Sequence, residues 1–129
     1  MGDELSILAL YGLFVIVVIV LQVLAAMSQV GLAELSTPRD NTPPLTGTAG
    51  RMERALHNCV VAMALFAPAV LILELRGAST GATLLAAQIF LIARIAYVAI
   101  YAAGVPWLRT GIWALGFLAT AYLYLAALA

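Results

Sequence analysis

Two groups of polar residues interrupt an otherwise apolar chain, and both have the chemistry to meet an anion. The first is Arg51-x-x-Arg54-x-x-His57-Asn58. Residues 51, 54 and 58 stand at i, i+3 and i+7, so on a helix they share one face. The second is Arg94-x-x-Tyr97-x-x-x-Tyr101, with the same spacing, and Arg109-Thr110 follows it. No acid lies on either stripe: Glu53 is one residue off the Arg51/Arg54 face, and Glu74 falls at the far end of the same apolar segment. Guanidinium forks match carboxylates and phosphates. An under-neutralised arginine cluster with two phenols therefore suggests an anionic ligand.

The same residues have plainer readings. Arg51 and Arg54 also suit an interfacial anchor on lipid headgroups, with their side chains snorkelling. Arg94 also suits a structural bond to a carbonyl, to Asn58 or to Gln88. Tyr97 and Tyr101 also suit packing against a neighbouring helix. His57 reads as a helix-surface residue near the interface, and Cys59 as a small buried apolar residue. Tyr11, Tyr122 and Tyr124 read as lipid-facing or interfacial.

The elements that must position these groups follow from composition. Of the 129 residues, 65% are hydrophobic and only 9% are charged; the mean hydropathy is +1.11. A soluble domain carries about 25% charged residues to wet its surface. Most of this surface must face lipid instead. The arginines stand singly and there is no lysine, which excludes a nucleic-acid footprint built on clustered cations. One cysteine and one histidine leave no disulfide framework and no Cys- or His-based metal site.

Four apolar segments stand out, at about 5–27, 50–75, 80–103 and 110–128. Each supplies the roughly 20 residues a helix needs to cross about 30 Å of hydrocarbon. Helices are required because each segment must satisfy its own backbone polar groups. The first segment begins after the acidic Met1-Gly2-Asp3-Glu4. It is longer than the apolar part of a signal peptide, which also has a basic leader, so it reads as a retained helix. The connection 28–49 is polar and turn-rich, while 76–79 and 104–109 are short. Short connections force antiparallel neighbours. The predicted architecture is thus all-α: one integral membrane four-helix bundle, up-down-up-down, over residues 1–129. Arg94 then lies well inside a span. An intramembrane charge costs at least about 2.5–3.5 kcal/mol and should face the bundle interior.

Arg39, Arg51, Arg54 and Arg109 fall on one side of this bundle, and Arg76 on the other. The positive-inside rule puts the first side in the cytoplasm. Trp107 and Trp113 lie near that same boundary, where indoles are favoured. Small residues through the last two segments, such as Ala93, Ala96, Gly111 and Gly116, permit close helix contact.

The chain resembles the MAPEG family, the membrane-associated proteins in eicosanoid and glutathione metabolism. The stretches that carry the likeness are 51–59 (RMERALHNC), 94–101 (RIAYVAIY) and 104–110 (GVPWLRT). The connection 39–47 (RDNTPPLTG) looks like a small bacterial branch. The resemblance implies a homotrimer in a bacterial inner membrane. It also implies glutathione bound between subunits near the cytoplasmic face, and conjugation, peroxide reduction or isomerisation of lipophilic substrates. Carried over by position, Arg51, Arg54 and Asn58 would hold glutathione carboxylates and backbone. Arg94, Tyr97 and Tyr101 would complete the pocket. Arg109 would be the catalytic group that stabilises the thiolate, since a cation beside a thiol lowers its pKa. Thr110 matches a hydroxyl residue that follows this arginine in some members.

One position departs from the pattern. Glutathione-using members commonly carry a Glu three residues after the Asn; here that position is Val61. The missing carboxylate would have faced the ligand's ammonium group. Two functions are therefore expected to compete. The first is a glutathione-dependent transferase or peroxidase acting on lipophilic electrophiles that enter from the bilayer. The second is a non-catalytic membrane protein that binds an anionic lipid or other anion in the same arginine-lined site. A transporter is disfavoured, because the helices lack a polar midplane or discontinuous segments.

Overall fold

The computed structural model describes residues 3–129. Met1 and Gly2 of the acidic leader lie outside the described residues. Five helices follow in order: α1 (Glu4–Val30), α2 (Leu32–Leu35), α3 (Gly47–Leu75), α4 (Gly81–Ala103) and α5 (Pro106–Leu128). All but the one-turn α2 are long and apolar enough to cross a membrane.

The helix ends depart from the sequence expectation for local reasons. α3 begins three residues earlier than position 50, at Gly47, and α1 continues three residues past position 27, to Val30. Gln29 clasps Thr46 across the loop: its Nε2 donates to the Thr46 carbonyl at 3.0 Å, and its Oε1 accepts from the Thr46 N–H at 2.8 Å. That pairing satisfies backbone groups at the entrance to α3. The connection expected over 104–109 shrinks to Gly104 and Val105, because Pro106 occupies the first turn of α5. Proline fits there, its missing N–H being one that has no helical partner anyway. Gly104 ends α4 at φ 81°, a left-handed cap. At its other end α4 is capped reciprocally by Thr80 and Thr83.

α4 packs most extensively on α5, and α1 on α3; α3 also touches α4 and α5, and α1 does not meet α5. Polar contacts fix which helix ends adjoin. The Thr83 hydroxyl donates to the buried Glu4 carboxylate, joining the starts of α1 and α4. Arg51 Nε donates to the Ala102 carbonyl at 3.0 Å, joining the start of α3 to the end of α4.

The core centres on three rings. Phe66 and Phe90 stack at 3.9 Å, and Tyr11 meets Phe90 edge-on at 4.9 Å. Tyr11 corrects the lipid-facing expectation: it is 0% exposed, and its hydroxyl donates to the Cys59 carbonyl at 2.6 Å. A phenol in hydrocarbon needs an acceptor, and lipid tails offer none. Tyr124 behaves alike, donating to the Leu65 carbonyl, whereas Tyr122 is exposed. That bond lies one residue from the Ala64 carbonyl, which Pro68 leaves without its helical N–H. α3 runs unbroken through Pro68 to Leu75.

Gly50 marks the tightest approach. A Cβ there would lie 2.7 Å from the Leu45 carbonyl oxygen, whereas at Gly81 it would meet nothing within 4 Å. Gly50→Ala is expected to destabilise the fold by about 1–3 kcal/mol, and Gly81→Ala to leave it unchanged or slightly stabilised. Tyr11→Phe should cost about 1 kcal/mol, the net worth of its hydrogen bond. Unfolding in mixed micelles, followed by circular dichroism, measures all three.

Candidate functional site

The first turns of α3, the second half of α4 and the first turns of α5 meet at one end of the bundle. α4 supplies the frame: Tyr97 and Tyr101 are one turn apart, and their rings pack edge to face at 5.6 Å. Cations cap both ends of this pair. The Arg109 guanidinium stands over the Tyr101 ring at 4.5 Å, and that of Arg94 over the Tyr97 ring at 4.4 Å. Arg54 approaches Tyr101 from α3, its Nε donating to the phenolic oxygen at 3.1 Å. Each cation–π contact contributes about 0.5–2 kcal/mol, more where water is excluded. The rings hold the guanidinium groups near one another without neutralising them.

Two adjoining clefts open along this frame. The outer one, about 380 Å³, is lined by Asn58, Tyr97, Tyr101, Arg109, Thr110 and Trp113. The inner one, about 110 Å³, is largely apolar; Val61, Leu65, Phe90 and Phe117 line it together with Arg94 and Gly116. Asn58 and Trp113 line both. Among the described residues no carboxylate lines either cleft. Among the described residues the arginine side chains bond to carbonyls, hydroxyls and a thiol, never to an acid. Glu53 lines a separate cavity with Arg39 and Gln22, beside α1.

The expected site residues thus divide. Asn58, Tyr97, Tyr101 and Arg109 come together on the outer cleft, with Arg54 bonded to Tyr101. Arg94 joins Asn58 on the inner one. Arg51 lines neither cleft: besides the Ala102 carbonyl it bonds the Thr48 hydroxyl, and its side chain lies against Gly104. It closes the end of α4. His57 is exposed.

Arg94 is the most unusual of these groups. It is only 3% exposed. Its expected partners were a carbonyl, Asn58 or Gln88. Instead its Nη2 donates to Cys59 Sγ at 3.5 Å, and its buried Nε has no hydrogen-bond partner. Cys59 itself is fully buried, as a small apolar residue would be. Gly116 on α5 adjoins the Arg94 side chain: a Cβ there would make ordinary van der Waals contact with Arg94 Cδ at 3.7 Å.

Trp113 and Gly116 are site residues that the sequence reading missed, one taken as an interfacial indole and the other as a helix-contact residue. The signal was the spacing Arg109-x-x-x-Trp113-x-x-Gly116, which at i, i+4 and i+7 also falls on one helix face.

What the arrangement can do is bind negative charge. The outer cleft can hold a carboxylate or a thiolate against Arg109. The inner cleft adds apolar surface beside a buried cation.

The MAPEG family model matches residues 5–129, which takes in all four long helices and both clefts. No curated protein and no solved structure shows a significant match. With four helices able to cross a bilayer and a family match over essentially its whole length, the chain is an integral membrane protein that belongs to the MAPEG family.

Proposed function

We propose that the protein is a glutathione-dependent transferase or peroxidase acting on lipophilic electrophiles. We further propose that it works as a homotrimer of up-down-up-down protomers in a bacterial inner membrane, with the arginine-rich end at the cytoplasm. One observation carries the catalytic reading. Arg109 is held over Tyr101 in a cleft that no carboxylate of the described residues lines. A guanidinium kept from internal neutralisation is free to stabilise an external thiolate at neutral pH.

The residues fit glutathione in part. Arg54 supplies a cation for a carboxylate and Arg109 one for the thiolate, Asn58 supplies an amide for its backbone, and the Tyr101 hydroxyl lies between the arginines' elements. Its ammonium group finds no acid, because Val61 lines the inner cleft where the Glu was expected. Glutathione supplies the sulfur nucleophile when bound. The protein's part is to hold that sulfur against Arg109 and to admit the electrophile from the bilayer along the apolar inner cleft. In a transferase the thiolate would attack an electrophilic carbon, forming a C–S bond as the leaving group departs or the ring opens; in a peroxidase it would attack one peroxide oxygen, breaking the O–O bond and releasing an alcohol, and a second glutathione would convert the resulting sulfenic acid to disulfide and water.

Val61 also favours a second reading, a non-catalytic protein holding an anionic lipid headgroup on the same arginines. The two readings separate experimentally. Purified protein in lipid nanodiscs, titrated with glutathione, should show ultraviolet thiolate absorbance that survives Cys59→Ala and vanishes in Arg109→Ala. No signal at millimolar glutathione, with anionic lipid found by mass spectrometry of the purified protein, would establish the second reading instead.

Val61→Glu should raise glutathione affinity at least about tenfold. A charge-assisted hydrogen bond contributes about 1.5–3 kcal/mol, and about 1.4 kcal/mol corresponds to a factor of ten. Calorimetric titration of both forms measures it, and an unchanged affinity favours the lipid-binding reading.

A further inference from the structure

The long loop builds a second polar site, away from both clefts. Arg39 on the loop and Glu53 on α3 line one cavity of about 380 Å³ with Gln22 of α1. No ion pair joins the two charges among the described residues; Arg39 is held to the loop instead. Its Nε donates to the Leu35 carbonyl at 2.9 Å, and its backbone N–H to the Thr37 hydroxyl at 3.2 Å. Its backbone sits at φ 67°, a left-handed conformation uncommon for a residue with a side chain. The Nη groups, the Glu53 carboxylate and the Gln22 amide have no hydrogen-bond partner among the described residues. Gln22 is the most demanding of the three. α1 has 27 residues, about 40 Å, which is the thickness of a bilayer with its headgroups. Gln22 is half-buried, eight residues before the end of α1 at Val30, about 12 Å along the axis. Its amide therefore lies below the headgroup layer, where an unsatisfied polar group is costly.

We propose that this cavity is the headgroup site of a phospholipid that carries a primary ammonium, a phosphatidylethanolamine. Its phosphate meets Arg39, its ammonium meets Glu53, and an acyl-ester carbonyl reaches the Gln22 amide.

Each group of the lipid has a reason to sit where it does. A guanidinium matches phosphate oxygens in shape and charge. A carboxylate accepts the N–H bonds of a primary ammonium, which a quaternary ammonium lacks. Four bonds separate phosphorus from nitrogen in this headgroup, about 5 Å at about 1.25 Å per bond. The headgroup can thus bridge two charges that do not reach each other. The ester carbonyls hang below the phosphate, on the hydrocarbon side, and the amide of Gln22 lies deeper than the loop. Leu32, Leu35 and Leu45 line the same cavity and give the first methylenes of the chains an apolar wall.

Charge balance argues against other ligands. An anionic headgroup would meet Arg39 but be repelled by Glu53, and a simple cation would be repelled by Arg39. Phosphatidylserine would set a second carboxylate beside Glu53. Soluble phosphoethanolamine carries the right two charges, yet it leaves Gln22 and the leucines without a partner. The site lies apart from the clefts that Arg109 and Arg94 line, and it holds with or without thiol chemistry there. It differs also from an anionic lipid on Arg54 and Arg109, because it selects a zwitterion.

The test is native mass spectrometry of the full chain released from nanodiscs of equal parts phosphatidylethanolamine, phosphatidylcholine and phosphatidylglycerol. The expected result is one phosphatidylethanolamine retained per chain, at least about fivefold over either of the others, as a charge-assisted hydrogen bond allows. Glu53→Gln should abolish the preference for phosphatidylethanolamine over phosphatidylcholine; Glu53 is exposed, so the fold tolerates the change. Arg39→Gln should lower retention of both zwitterionic lipids, since both carry the phosphate. Because Arg39 also ties down the loop, Gln22→Leu is a further variant, expected to weaken retention while keeping the headgroup preference. Millimolar phosphoethanolamine should not displace the lipid. Arg109→Ala should remove the glutathione thiolate signal and leave lipid retention intact, which separates failure here from failure of the thiol reading. Equal retention of phosphatidylcholine, preference for phosphatidylglycerol, full selectivity in Glu53→Gln, or displacement by phosphoethanolamine would each overturn the assignment.

Discussion

Hydrocarbon offers a polar group nothing, so each one that enters it must find its partner within the protein or in a ligand. That constraint organises the whole interior. Tyr11 and Tyr124 turn their hydroxyls to helix carbonyls, Thr120 bonds back to its own helix, and the Glu4 carboxylate meets the Thr83 hydroxyl. Apolar packing fills the remaining space, with Phe66, Phe90 and Tyr11 as its centre. Arg94 is where the rule is met least completely, since one of its buried donors is left over. A native interior rarely keeps such an orphan without a reason.

The arginines show how one residue type serves different ends by position. Arg51 closes the end of α4 through a carbonyl and no longer offers its Nε to a ligand. Arg39 folds back on the Leu35 carbonyl within the long loop, where its own backbone takes a left-handed φ of 67°. Arg54 and Arg109 converge on Tyr101 from two different helices. None is bonded to an acid among the described residues, so their separate roles rest on carbonyls and aromatic faces. Such partners position a guanidinium while leaving its charge available.

Much of this was legible in the sequence, and the failures are instructive. The four long helices follow from apolar run length, and the meeting of Arg54, Asn58, Tyr97, Tyr101 and Arg109 follows from helical spacing once short connections bring those helix ends together. Tyr11 was misread because hydropathy cannot say which face of an apolar helix turns inward; that depended on an acceptor at Cys59, in another helix and 48 residues away. The length of the last connection was misread because an apolar-run criterion ignores the first turn of a helix, where Pro106 belongs. Arg51 shares its stripe with Arg54 and Asn58, yet a stripe does not reveal that a helix end lies within its reach. Trp113 and Gly116 were visible as a stripe with Arg109 but carried no charge to draw notice.

The two-residue link between α4 and α5 has a mechanical consequence. Gly104 and Val105 leave little slack, and α4 and α5 share the broadest contact in the bundle. Tyr101 and Arg109 therefore travel as one rigid leaf. The opposite wall of both clefts belongs to α3, through Asn58 and, in the inner cleft, Val61. A motion that widens them must swing α3 away from that leaf, as a cover opens from its spine. Arg51 crosses this same seam, bonding from α3 to the Ala102 carbonyl near the end of α4. It is the side chain that ties α3 to the leaf at this end of the bundle.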